Sequence, residues 1–172
     1  MTSRRTVLRT SAAAALGAAA LLSGAGPAQA GSSTSPQRDR IGAQQCAEIE
    51  AVLKSYERSL NASDVDGVVR LYTDDAVLLA PGAPSAVGID AVRAAYAGIF
   101  QAIDIDLTFE IAEVKIVSPD WAFLRSTSHG VATILATGAQ IPSSNQELFV
   151  LRKVEGRWKL ARYSFSSVLP SA

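Results

Sequence analysis

A single carboxylate, Glu147, stands in an apolar row in the last third of the chain. Residues 146–165 contain two apolar-rich runs joined by a charged stretch with Gly156, a pattern typical of a long antiparallel hairpin. Because side chains alternate between the two faces of a strand, Glu147 shares its face with Phe149 and Leu151. Such a buried carboxyl group would be protonated or paired, and burial would raise its pKa. Glu147 is therefore the first candidate for a general acid or base.

The predicted strand at residues 121–132 carries a second set of reactive side chains. Arg125, Thr127 and His129 alternate on one of its faces. The opposite face carries a different row: Ala122, Leu124, Ser126 and Ser128. Periodicity alone leaves open which row points into the protein. His129, the sole histidine, could form an acid/base couple with Glu147 or be a hydrogen-bonded core residue.

The residue inventory argues against several kinds of site. One histidine and one cysteine, Cys46, do not provide the usual ligands of a zinc site, so we predict no metal. No nucleophile-elbow motif surrounds the serine beside the histidine, which argues against a hydrolase triad. Neither a GxGxxG motif nor a phosphate-binding loop is present, so we predict no cofactor. Asp74 and Asp75 could form a carboxylate dyad, but ending a helix and capping a turn is the simpler interpretation.

The apolar spacing predicts an α+β protein. Helical periodicity marks residues 45–60, 65–72 and 89–100, with Ser63 or Asp64 as the cap of the second helix. Alternation then predicts strands, and the predicted strands are residues 76–80, 107–116 with a bulge, 121–132 and the two arms of the hairpin. Residues 133–144 are interpreted as a polar or flexible connection. The expected architecture is three helices on one face of a curved antiparallel sheet.

The first thirty residues have the pattern of a cleavable export signal. Three arginines precede an uncharged run rich in alanine and leucine, and residues 28–30 offer a small-x-small cleavage site. The paired arginines resemble the twin-arginine type of signal. The apolar run is shorter than the roughly 20 residues of a membrane-spanning helix, so we expect export without stable membrane insertion. We assign residues 1–30 to the signal, 31–43 to a disordered leader and 44–172 to a single domain.

Charge and surface patterns indicate the partners. Without the three arginines of the signal, 13 basic residues face 16 acidic ones, so the net charge of −3 argues against a nucleic-acid partner. In the first arm of the hairpin, Leu148 and Val150 form a second apolar row opposite the Phe149 row. Helices can cover only one face of the sheet. The second row therefore predicts a homodimer that forms through the outer face of the sheet.

Residues 51–100 resemble the opening of the ketosteroid isomerase and SnoaL-like cyclase families in the nuclear transport factor 2-like superfamily. The matching text is LKSYERSLNASDVDGVVRLYTDDAVLLAP followed by GIDAVRAAYAG, and the closing WKLARYSF resembles members of the SgcJ/EcaC type. The resemblance implies a conical α+β barrel with a deep pocket between sheet and helices, commonly dimeric through the outer face of the sheet. Because this superfamily hosts many chemistries and many proteins that are not enzymes, the resemblance is far more specific for fold than for activity.

Carried over position by position, the resemblance implies roles for several residues. Tyr56 matches the oxyanion-hole tyrosine of the isomerase, and Tyr96 matches a pocket tyrosine that hydrogen-bonds to it. Glu147 falls at or next to the second oxyanion donor, an acid kept protonated by an apolar site. Ala80 occupies the place of the catalytic base. An alanine cannot take a proton, so steroid isomerisation by that mechanism is not expected.

The same resemblance turns Arg125, Thr127 and His129 inward, and it places three aromatic residues on the pocket wall: Phe149, Tyr163 and Phe165. A pocket with these groups would suit a small organic ligand that bears a carbonyl, enol or carboxylate. Two simpler roles remain open, namely Tyr56 as a core aromatic residue and Glu147 as the partner of Arg125 or Arg162 in an ion pair. We expect an exported pocket protein of unproven catalysis. The alternative is a cofactor-independent acid/base isomerase, cyclase or lyase acting on a carbonyl-bearing polyketide- or steroid-like substrate.

Overall fold

Helices dominate the first part of the chain and strands the second. The computed structural model describes residues 36–168. The helices are α1 (Pro36–Asn61), α2 (Val65–Arg70) and α3 (Ile89–Ala102), and the strands are β1 (Tyr72–Leu79), β2 (Ala86–Val87), β3 (Ile103–Ile116), β4 (Trp121–Ile134), β5 (Gln140–Val154) and β6 (Arg157–Ser167). The predicted export signal and the first residues of the predicted leader lie outside the described residues.

The three predicted helices are present, and their apolar stripes face the sheet. In α1 the side chains of Ile49, Leu53 and Tyr56 are buried at the predicted helical spacing. The helix begins at Pro36 rather than at residue 45, so part of the stretch assigned to a disordered leader is helical. Asp64 caps α2, because its side chain accepts a hydrogen bond from the backbone N–H of Gly67 at 2.9 Å.

The six strands form one sheet in the order β2-β1-β6-β5-β4-β3. Strand β1 runs parallel to β6, and the other neighbouring strands are antiparallel. The predicted bulge in β3 is confirmed, because the pairing with β4 shifts register between Ile111 and Glu113. Strands β2 and β3 are the two edges of the sheet, so the sheet is not closed into the barrel that the resemblance implied.

Strands β4 and β5 are longer than the sequence predicted. Residues 133–144 were expected to be a connection, yet only residues 135–139 separate the two strands. Composition was misleading here, because the start of β5 is solvent-exposed and needs no apolar alternation. Gly130 permits a close approach within this region. Its φ is 153°, and a Cβ there would lie 2.0 Å from the backbone oxygen of Asp106, so only glycine fits.

The predicted hairpin at residues 146–165 is confirmed by the pairing of β5 with β6. Glu155 and Gly156 form its two-residue turn, and both have positive φ, 50° and 77° respectively. Positive φ at both central positions is the geometry of a type I′ turn, whose twist matches that of the strands. A register shift between Val150 and Leu151 interrupts the ladder that starts at the turn, and beyond this shift Glu147 lies opposite Phe165. This register places the hairpin's inner row beneath the helices.

Candidate functional site

A cavity of about 640 Å³ lies between the helices and the inner face of the sheet. Most of its lining is aliphatic, as with Leu78, Ile99 and Ile105. Several lining residues are exposed to solvent and so mark the rim, among them Pro81, Pro84, Ile141 and Pro142. The volume is within the range of small-molecule sites, which is about 300 to 1,000 Å³.

Glu147 is the buried acid of this cavity. Only 6% of the residue is exposed, and its neighbours are hydroxyl groups. Ser126 Oγ donates to Glu147 Oε2 at 3.3 Å, and the hydroxyls of Ser128 and Tyr163 also hydrogen-bond to the carboxyl group. Burial raises the pKa of Glu147 from its ordinary value of 4.5 to about 7, although the three hydroxyl groups oppose this shift. The group can therefore gain or lose a proton near neutral pH.

No basic side chain among residues 36–168 forms a salt bridge with Glu147. Arg125 Nε instead contacts Glu113 Oε2 at 2.8 Å, and both groups are largely exposed. Arg162 donates to the backbone oxygen of Asp75 at 3.0 Å. The alternative in which Glu147 forms an ion pair with Arg125 or Arg162 is therefore wrong, because those arginines lie on the opposite face of the sheet.

The inward orientation predicted for Arg125, Thr127 and His129 is also wrong. All three side chains are exposed on the outer face, meaning the face of the sheet that points away from the helices. The opposite row points inward, where Ser126 and Ser128 are 3% and 1% exposed. This row also contains Ala122 and Leu124, but Trp121 and Phe123 begin the outer row, so the sequence held no signal that separates the two rows.

Tyr56 and Tyr96 meet at the cavity, as the resemblance implied. Their hydroxyl oxygens are 2.8 Å apart, and Tyr96 also hydrogen-bonds to Tyr72 at 2.8 Å. The hydroxyl of Tyr163 joins these residues through a hydrogen bond with Tyr56. We call Tyr72, Tyr96, Tyr56 and Tyr163 the tyrosine chain. Burial raises the pKa of each phenol in it well above 10, so the chain remains neutral and ends at Glu147.

Tyr72 and Asn145 were not predicted as part of the site. Tyr72 had been assigned to the end of α2, but it begins β1 and points inward. Asn145 lines the cavity and donates to Ser128 Oγ at 3.2 Å. Its place could have been found from its strand alternation with Glu147 and Phe149.

Three aromatic rings stack along one wall. Phe149 and Tyr163 are parallel, with centroids 4.2 Å apart, and Phe165 stacks on Tyr163 at 5.4 Å. Tyr163 and Phe165 line the cavity, whereas Phe149 is not among the lining residues and lies 1% exposed behind Tyr163. Phe149 therefore supports the wall rather than forming its surface.

The place expected to lack a catalytic base also lies at the cavity. Ala80 directly follows β1 and lines the cavity. The neighbouring acids do not replace the missing carboxylate. Asp74 and Asp75 are exposed, and Asp75 binds Arg152 through two hydrogen bonds of 2.9 and 3.1 Å.

Residues 36–168 contain neither a cluster of metal-binding side chains nor a helix that could span a membrane. No group of three or more histidine, cysteine, aspartate or glutamate side chains converges there in an arrangement that could hold a metal ion. The helices in that part of the chain are all too short or too polar to cross a membrane.

Known proteins resemble the chain in both sequence and structure. The profile for SnoaL-like domains matches residues 52–161. The ketosteroid isomerase-like protein from Erwinia carotovora atroseptica SCRI1043 is 44% identical, with a TM-score of 0.70 over 72% of this chain and 96% of that chain.

More distant structures share the same fold. A protein from Novosphingobium aromaticivorans, provisionally named scytalone dehydratase, is 18% identical with a TM-score of 0.68 over 76% of this chain and 89% of that chain. A protein from Streptomyces avermitilis, provisionally named a dehydratase of the NTF2-like family, is 17% identical with a TM-score of 0.63 over 73% and 97%. At these identities the likeness supports the fold alone.

Proposed function

The chain belongs to the family of SnoaL-like domains, and on that premise we propose that it binds a small organic molecule between its sheet and its helices. One observation carries the proposal, namely a cavity of about 640 Å³ whose polar groups gather around Glu147 while the rest of its lining is apolar. Sites of this kind hold a hydrophobic body and orient it through a few polar contacts. The ligand is therefore an apolar molecule with one polar end.

A cavity-filling substitution tests this binding. Ala95 on α3 lines the cavity, whereas the adjacent Ala94 is exposed on the same helix. Ala95→Phe should reduce binding of the fluorescent apolar probe N-phenylnaphthylamine by about tenfold or more, and Ala94→Phe should leave it unchanged. Equal binding by both variants would place the probe elsewhere and argue against the proposal. Thermal unfolding of each variant would confirm that it is folded.

The proposed setting of this activity is outside the cytoplasm. The support is the sequence of residues 1–30, with its paired arginines, short apolar run and small-x-small site. Expression of the full chain in a bacterial host should release a protein that begins at Gly31, and disruption of the twin-arginine pathway should abolish that release. An intact amino terminus on exported protein would contradict cleavage.

The proposed assembly is a homodimer that forms through the outer face of the sheet. Leu148 and Leu79 support this, because they are 42% and 41% exposed on that face, next to the half-buried Val150. Leu148→Glu should convert the dimer to a monomer in analytical ultracentrifugation. Ile41→Glu is the matched control, since Ile41 is 47% exposed on α1. A wild-type monomer would contradict the proposal.

A second candidate function is acid/base catalysis on a carbonyl-bearing polyketide- or steroid-like substrate. The observation that favours it is the pKa of Glu147, which burial raises to about 7 and so brings close to the range of a general acid or base. Tyr56 would then support the developing oxyanion through the tyrosine chain. Exchange of the α-protons of a cyclic ketone with solvent deuterium, followed by NMR, tests this function. Glu147→Gln should abolish any exchange that the wild type catalyses, and Glu113→Gln should not. If the wild type catalyses no exchange, catalysis is contradicted and binding remains as the proposed function.

A further inference from the structure

We infer that the ligand is a lipophilic amine, bound as its ammonium ion with the positive charge against Glu147. This inference rests on the proposed binding function and names the chemical class that the same cavity selects. It departs from the expectation of a ligand that bears a carbonyl, enol or carboxylate, which assumed that Arg125 and His129 point inward.

The charges around the cavity support this class. Apart from tyrosines, Glu147 is the one ionisable side chain among the described residues that line it. An anionic ligand would meet this carboxylate with no lining arginine, lysine or histidine to offset the repulsion. A cationic ligand would instead supply the missing partner. A buried carboxylate without a partner is costly, and an opposite charge in contact reduces that cost.

The hydroxyl groups around Glu147 leave room for one more donor. An ionised carboxylate offers about four acceptor positions. Ser126, Ser128 and Tyr163 each contribute one hydroxyl donor. The acceptor position that remains matches a ligand N–H group, which is a stronger partner than a neutral donor because the hydrogen bond is charge-assisted.

The titratable groups around Glu147 remain neutral near pH 7. They come from each packed element and form the tyrosine chain, with Tyr56 on α1, Tyr96 on α3, Tyr72 on β1 and Tyr163 on β6. Burial raises the pKa of every one of these phenols. Glu147 therefore sets the charge of the cavity alone. The rings of Tyr163 and Phe165 beside it offer faces that attract a cation.

A matched series of three ligands tests the inference, namely adamantylamine, adamantanol and adamantane carboxylate. Their hydrocarbon body is identical, so differences in affinity report the polar group. Isothermal titration calorimetry near neutral pH should show the amine binding at least about tenfold more tightly than the alcohol, and the carboxylate binding more weakly than both. An alcohol or carboxylate that binds as tightly as the amine overturns the inference.

Substitutions of Glu147 and Glu113, together with the number of protons released on binding, show whether the preference for the amine depends on Glu147. Glu147→Gln should reduce the preference for the amine over the alcohol to less than about threefold, whereas Glu113→Gln should preserve it. Titrations in two buffers of different ionisation enthalpy supply a readout on the unmodified protein. Because the pKa of Glu147 is about 7, the amine should release about half a proton at that pH. Proton uptake on binding of the amine would show that Glu147 is protonated in the complex and would contradict the inference.

The outcomes separate this inference from the proposed function. If the alcohol binds and Ala95→Phe blocks it, but the amine binds no better, the cavity is a binding site and the ammonium class is wrong. If neither the three ligands nor N-phenylnaphthylamine binds, both proposals fail.

Discussion

Neighbouring residues of β4 occupy two different chemical environments. Ser126 and Ser128 face the cavity and are 3% and 1% exposed, while Arg125 and His129, which flank them in the sequence, are exposed on the outer face. The outer face carries exposed ion pairs, such as the contact of Arg125 with Glu113. The inner face holds one acid, and that acid has no basic partner among the described residues.

An exposed charge and a buried charge have different consequences in this protein. On the outer face, water and salt screen each ion pair, so a pair contributes about 0 to 1 kcal/mol. On the inner face, the same type of carboxyl group is desolvated, and its protonation state becomes sensitive to any molecule that enters the cavity. Residue type alone would have favoured the arginine and the histidine as site residues.

The largest difference in the free energy of unfolding is expected between substitutions at two adjacent positions of β4. Leu124 is 1% exposed, so Leu124→Ala should lower the free energy of unfolding by about 2 to 5 kcal/mol through lost burial and a new void. Arg125→Ala should change it by less than about 1 kcal/mol, because its ion pair is exposed. Urea unfolding measures both values. Similar costs for the two variants would contradict the assignment of the two faces.

The pH dependence of stability should identify the buried acid. The folded protein binds the proton of Glu147 with a pKa of about 7, against 4.5 for an ordinary glutamic acid. The stabilisation by this proton is therefore complete below about pH 4.5 and is lost as the pH rises through about 7. The free energy of unfolding of Glu147→Gln should increase by about 3 kcal/mol relative to that of the wild type as the pH rises through this range. Urea unfolding at each pH measures this difference.

The outer face supplies the control for this titration. Glu113→Gln removes an exposed carboxylate that is paired with Arg125. Its effect on stability should change little across the same range. A flat difference between Glu147→Gln and wild type would show that the acid is solvated or paired in solution.

Removal of a hydroxyl group should cost more stability in the tyrosine chain than on the outer face. Tyr96→Phe removes the hydroxyl group that contacts both Tyr56 and Tyr72 at 2.8 Å, which leaves two buried hydroxyls without that partner. The expected loss is about 1 to 3 kcal/mol. Ser166→Ala removes the exposed contact with Gln146 and should cost less than about 0.5 kcal/mol. Equal losses in thermal unfolding would indicate that water reaches the tyrosine chain.

The smallest effect is expected for the outer-row residues on ligand binding. His129→Ala and Arg125→Ala should change the affinity for N-phenylnaphthylamine by less than about twofold, because both side chains point away from the cavity. Fluorescence titration measures this, with Ala95→Phe as the variant that should lose binding. A loss of about tenfold for either outer variant would show that the outer face takes part in binding.

The sequence was sufficient for the three helices and for most of the strands, but not for β2 or for the parallel pairing of β1 with β6. Helical spacing of Ile49, Leu53 and Tyr56 identified the buried stripe of α1, and the alternation around Phe149 with Gly156 identified the final hairpin. These patterns are local, since each follows from the repeat of a single element and from turn chemistry. The polar start of β5 was not predicted as a strand, because exposed strands lack the apolar alternation that marks a half-buried strand.

What the sequence determined about the site was the row that contains Glu147 and Phe149, along with the hydroxyl contact of Tyr56 with Tyr96 that the family resemblance implied. The tertiary structure alone decided which row of β4 faces the cavity, and with it that Ser126 and Ser128, rather than Arg125 and His129, surround the acid. A shift of one position reverses the face of every side chain in a strand. The face itself is set by pairing with β5, a contact between distant residues that no local pattern contains.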